Sequence, residues 1–139
     1  GIGEKKREGD LITPKGVFKI KGIFYRKDKI KSLKTKIKKT IINKNMGWCD
    51  DPKSNKYNKL IYYPFKFNSE KLYRQDSSYD IIISLNFNVN PVKKNKGSAI
   101  FLHVSKKNYS PTEGCVAIKK NQLIKIVKTL KKNSKIIIN

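Results

Sequence analysis

The run Ile81-Ile82-Ile83 within "YDIIISLNFNV" (79–89) limits the fold more than any other stretch of this chain. Consecutive β-branched residues are stiff at χ1 and suit a pleated strand better than a helix. Isoleucine on both sides leaves the start of this strand no polar face to turn towards water, so it is expected to be buried on both. A second strand is read in "SAIFLHV" (98–104). If it is regular, Ala99, Phe101 and His103 point to one side and Ile100, Leu102 and Val104 to the other.

The remaining segments fall in around these two strands. "TPKGVFKIKGIFYR" (13–26) reads as a Pro/Gly turn feeding a strand, with Val17, Lys19 and Lys21 alternating against Phe18 and Ile20. In "KDKIKSLKTKIKK" (27–39), Ile30, Leu33 and Ile37 have helical spacing, but lysines outnumber these anchors, so a helix and an extended loop or edge strand are equally compatible. "MGWCDDPKSNKYN" (46–58) is rich in Gly, Asp, Pro, Ser and Asn and reads as one long loop. After Cys115, residues Leu123, Ile126, Val127 and Leu130 set a helical period with lysines on the other face. "KIIIN" then supplies a closing strand over 135–138. The expected fold is mostly β, a sandwich or mixed sheet, with one clear α-helix in the C-terminal half. A length of 139 residues fits one domain, and a monomer is expected.

Charge narrows the functional classes. The formal net charge is +23, which by itself suits nucleic acid, an anionic membrane surface or an acidic polymer. Only three of the 33 cationic residues are arginines, Arg7, Arg26 and Arg74; the rest are lysines among many isoleucines and asparagines. That mixture is the mark of base-composition drift. A dedicated nucleic-acid face would be richer in the guanidinium fork that reads phosphates and guanine edges, so no specific nucleic-acid partner is expected. No apolar run approaches the length of a membrane span, and "GIGEKKREGD" lacks the apolar region of a signal peptide.

The ten acids say more than the bases. Apart from Asp28 they fall in four short stretches, "EKKREGD" (4–10), "CDD" (49–51), "EKLYRQDSSYD" (70–80) and "TEGC" (112–115). Each has Gly, Arg, Trp or Tyr nearby, the composition of a shaped site. Ordinary turn acids and helix caps give the same pattern one at a time.

The single histidine and one of the two cysteines lie twelve residues apart in "FLHVSKKNYSPTEGCVAI" (101–118). Two cysteines make no disulfide framework and no paired Cys-x-x-Cys, so neither a metal nor a cofactor is expected. An imidazole beside a thiol activates it by taking its proton. Gly114 just before Cys115 lets a substrate carbonyl approach the backbone, and the Gly114 and Cys115 amides are placed to receive an oxyanion. The competing reading is a buried thiol and a satisfied buried histidine, both common in cores. Residue types and spacing leave the two open.

The wider pattern resembles a known family. "HVSKKNYSPTEGCVAI" is similar to the active-site segment of the L,D-transpeptidase (YkuD-like) family, a histidine, a gap, then Ser/Thr-His-Gly-Cys. "KKREGDLITPKGVFKI", "GWCDDP…YN", "LYRQDSSYD" and "GSAIFLH" resemble, in order, signatures of one bacterial branch of it, so the resemblance spans essentially 1–139. It begins in mid-pattern at "GIG", which implies that one or two N-terminal strands of the domain are missing.

The resemblance implies a cysteine acyltransferase of the cell envelope that acts on peptidoglycan stem peptides. Cys115 would attack a tetrapeptide stem at the L-centre of diaminopimelate and D-alanine would leave. The thioester would pass to an amine, forming a 3→3 cross-link, or to water in an L,D-carboxypeptidase or endopeptidase. A non-catalytic wall- or nucleic-acid-binding module is the remaining alternative. His103 would be base and then acid, Gly114 and Cys115 the oxyanion site, and Thr112 the Ser/Thr of the motif. Glu113 replaces the usual second histidine, Val116-Ala117 replaces a more polar continuation, and the His-to-Cys gap is short. A carboxylate beside the nucleophile needs a cation, for which Arg7 and Arg74 are the obvious choices. Trp48, Asp50, Tyr57, Asn58, Arg74 and Asp80 are expected in the pocket or behind it, with an Arg74 pairing to Asp76 or Asp80 as the structural alternative. Cys49 is expected to be a packed thiol, unbridged to Cys115.

Overall fold

The computed structural model describes residues 1–105 and 115–139. Its strands are β1 (Ile2–Gly3), β2 (Thr13–Pro14), β3 (Gly16–Tyr25), β4 (Lys39–Ile41), β5 (Met46–Cys49), β6 (Leu60–Tyr62), β7 (Ser69–Lys71), β8 (Ile81–Leu85), β9 (Phe101–Val104), β10 (Val116–Ile118) and β11 (Lys135–Ile138), with helix α1 (Lys120–Thr129) between the last two. The fold is mostly β with one helix among the described residues, as the sequence indicates.

The main sheet runs β10-β9-β8-β3-β11, with β4 also paired to β3. β8 is antiparallel to both β3 and β9, whereas β10 is parallel to β9. All five β8 residues are buried, because the sheet is covered on both faces. On one side Ile81, Ile83, Ile100, Leu102 and Val104 pack under Leu123 and Val127 of α1 in an aliphatic core. On the other, Ile82, Ala99 and Phe101 meet Met46, Trp48, Leu72 and Tyr79 in a second cluster, which holds the three aromatic rings of Trp48, Tyr79 and Phe101. That cluster is roofed by a small antiparallel sheet, β6-β5-β7. The layers are therefore helix, main sheet and small sheet.

Two segments differ from or settle the sequence reading. Residues 46–58 are not one loop: Met46–Cys49 form the buried middle strand of the small sheet, and the turns start only at Pro52. Its composition hid this, because Gly47 is there for close packing; a Cβ would lie 2.5 Å from the Tyr63 hydroxyl. The ambiguous segment 27–39 forms no helix: it turns at 27–29 and then runs irregularly into β4 at Lys39, yet Ile30, Leu33 and Ile37 are buried in the aliphatic core. The helical spacing there marks three anchors of an irregular segment.

Candidate active site

Parallel pairing of β9 and β10 fixes where histidine and cysteine stand. Ala117 is in register with His103 and Val116 with Leu102. Registered residues share a face, and so do residues two apart, so Cys115 lies on the face of Phe101 and His103. Its contacts agree: Cys115 packs on the aromatic cluster, and the His103 ring meets that of Tyr79 edge-on at 5.5 Å. With strands about 4.8 Å apart and two residues of offset, strand geometry puts the two Cα atoms on the order of 8 Å apart. An imidazole and a thiol can close that gap.

His103 is 8 % exposed, and its Nδ1 lies 2.9 Å from the Val104 carbonyl oxygen. A carbonyl only accepts, so Nδ1 carries the hydrogen of the neutral ring and Nε2 the lone pair. The tautomer is thus assigned from a backbone acceptor, and it leaves Nε2 as the basic nitrogen.

Tyr79 ties the imidazole to a charged network. Its hydroxyl donates to Glu70 Oε1, and its ring also meets Phe101. Burial, then the negative charge of Glu70, then Cys115, hold the phenol pKa far above its ordinary value, so Tyr79 remains a donor. Arg74 lies over the same ring at 5.4 Å and grips Asp76 in a fork of 3.0 and 2.5 Å. That guanidinium, outweighing partial burial, holds the Asp76 carboxyl at about 2.

The sulfur of Cys115, partly buried, donates to the Ala99 carbonyl at 2.9 Å. Ala99 has φ +52, and its N–H donates to Asn58 Oδ1 at 3.0 Å. Trp48 Nε1 donates to the same oxygen at 3.0 Å. Tyr57 donates to Glu8 and accepts the Gly97 N–H. Trp48 and Asn58 are thus linked to the Ala99 backbone on which the cysteine rests, and Tyr57 to Gly97 two residues earlier; all three are buried.

The other expected residues divide. Thr112, Glu113 and Gly114 lie outside the described residues. Arg7 is exposed in an N-terminal turn whose amides bond to Asp10. Asp50 sits at the end of β5, where its amide donates to Asn68 O at 3.3 Å. Arg74 pairs with Asp76, half-exposed, whereas Asp80, 1 % exposed, pairs with Lys120 at 2.8 Å. The two cysteines form no disulfide, and Cys49 is fully buried. Among the described residues no three His, Cys, Asp or Glu side chains gather as a metal site.

Sequence reasoning missed Tyr79, Glu70 and Arg26. Glu70 and Tyr79 had a signal, since both lie in the acid-bearing stretch 70–80. Arg26, 5 % exposed, forks onto Asp28, donates to the Arg74 carbonyl and lies 3.6 Å over the Tyr73 ring. Its signal was Asp28, the one acid outside the four stretches.

A family model of the L,D-transpeptidase catalytic domain, YkuD, matches residues 1–138. No curated protein and no solved structure matches the chain.

Proposed function

The chain belongs to the L,D-transpeptidase catalytic-domain family, whose substrate is cell-wall peptidoglycan, and from that premise we propose that it cross-links peptidoglycan stems through a thioester on Cys115. His103 Nε2 takes the thiol proton, and the sulfur attacks the carbonyl at the L-centre of diaminopimelate in a tetrapeptide stem. The negative charge that develops on that oxygen is received by the backbone amides of Gly114 and Cys115. Collapse breaks the C–N bond, His103 returns the proton to the departing amine, and D-alanine leaves. An amine of a neighbouring stem then attacks the thioester, giving its proton to His103; the 3→3 amide forms and the thiol is restored. The family's substrate sets the place of work in the cell envelope, and no described helix is long and apolar enough to cross a membrane.

The observation that supports this reading is the common face of β9 and β10, with imidazole and thiol two positions apart across parallel strands. Side chains that share a face at this spacing can approach each other, and the family match covers both strands that carry them. The Val104 carbonyl adds to it by leaving Nε2 as the base.

Incubation with purified tetrapeptide muropeptides, read by mass, tests the reading. D-alanine loss with dimer formation is expected, and Cys115→Ala should abolish both while the fold is kept. Loss of D-alanine without dimers would replace transpeptidation by L,D-carboxypeptidase action, with water taking the thioester. Unchanged turnover in Cys115→Ala would remove both and leave a binding module.

A further inference from the structure

Three side chains from two distant stretches fasten three consecutive residues, Gly97 to Ala99, just before β9. Tyr57 Oη accepts the Gly97 N–H at 2.9 Å, Glu8 Oε1 accepts the hydroxyls of Ser98 and Tyr57, and Asn58 Oδ1 accepts the Ala99 N–H at 3.0 Å. Asn58 uses its whole capacity. Its Oδ1 also takes the Trp48 indole N–H, and its two amide hydrogens go to the carbonyls of Phe87 at 3.1 Å and Asn88 at 2.7 Å. An amide with two acceptances and two donations can be oriented in only one way. It is 3 % exposed, so solvent offers no substitute partners.

What this fastening holds is unfavourable by itself. Ala99 is in the left-handed region at φ +52, which is sterically unfavourable for a residue with a Cβ. Released, the residue would relax towards extended backbone and its carbonyl would turn away. In the held conformation that carbonyl accepts the Cys115 thiol hydrogen at 2.9 Å. A hydrogen bond to the neutral thiol favours it over the thiolate, which a carbonyl oxygen repels.

We propose that Asn58, braced by Tyr57 and Glu8, is a positioning residue for the nucleophile, holding the Ala99 carbonyl against Cys115 so that the resting sulfur is an anchored thiol. This rests on the reading of Cys115 as the nucleophile. The anchor sets where the sulfur waits and how readily it ionises. Among the described residues, the groups on this side of the sheet are the Tyr79 phenol, which feels the Cys115 charge, His103 on the same face of β9, Glu70 of β7 bonded to that phenol, and Arg74, paired to Asp76, over its ring. Substitution at Asn58 alters none of them chemically.

The test is the rate of Cys115 alkylation by iodoacetamide, located by peptide mass, across about pH 5 to 10. Asn58→Ala is expected to lower the midpoint of the pH–rate profile by about one pH unit, the size of one lost hydrogen bond to the neutral form. Tyr57→Phe and Ser98→Ala, which keep Asn58, should lower it by less. A merely structural role would raise the rate at every pH with the midpoint unmoved, and that result in folded variants overturns the proposal. If Asn58→Ala does not fold, the two milder variants decide: a lowered midpoint supports the anchor and an unmoved one ends it. The measurement needs no substrate. Failure of the catalytic reading, seen as turnover surviving Cys115→Ala, is therefore distinct from failure of the anchor.

Discussion

Leu102 and His103 are neighbours on β9 that belong to different molecules in physical terms. Leu102 points into the aliphatic core beneath α1, where almost every partner is Ile, Leu or Val and the attraction is non-directional. His103 points to the aromatic cluster, where the groups with polar ends are each tied to a particular partner: Trp48 to Asn58, Tyr79 to Glu70, the imidazole to Val104. The first side supplies stability that depends on volume. The second supplies positions that depend on identity, and it stays in place because the first side holds the sheet still.

This contrast can be broken or sharpened at single residues. The largest effect is expected on the polar side: His103→Ala should lower turnover by about 10² to 10⁴ through loss of the general base, with a small change in stability. A loss below about tenfold would mean that another group or water deprotonates the thiol. Leu102→Ala should do the reverse, costing about 2–5 kcal/mol in denaturant unfolding while turnover per folded molecule is unchanged. If it instead abolished activity without unfolding, the two faces would be coupled more tightly than the packing implies. Tyr79→Phe keeps the ring against His103 and removes only the donor to Glu70, so about 1–2 kcal/mol of stability should go, and turnover should fall less than in His103→Ala.

The smallest effect is on acid stability. The Arg74 fork lowers the folded-state pKa of Asp76 to about 2 from 3.8, so its contribution is present above the unfolded value and fades as pH falls from there through about 2. Asp76→Asn should flatten the unfolding profile in that window and nowhere else. The pair is half-exposed, so the gain is discounted for solvent and salt.

Much of the fold was legible because periodicity reports burial. The three isoleucines of β8, the alternation of β9 and the stripe of α1 each announced their faces. β5 was not legible, since four residues containing Gly47 and followed by Asp-Asp-Pro look like the start of a turn. For the site, His103 and Cys115 were singled out by type and surrounding pattern, but what the structure sets against them was not. The Val104 and Ala99 carbonyls are backbone groups with no letter in the sequence. The parallel return of β10 depends on where the chain re-enters the sheet, and the Asp80 partner, Lys120, is forty residues away. Side-chain chemistry is written locally; the acceptors that aim it come from topology.

Trp48 is the chain's single tryptophan, 3 % exposed, with Phe101 edge-on at 5.2 Å and its indole hydrogen on Asn58. The protein thus carries its own unlabelled optical gauge between the two sheets. Emission from that one ring, and the resonance of that one indole proton, read out the grip of the buried amide without any dye or tag.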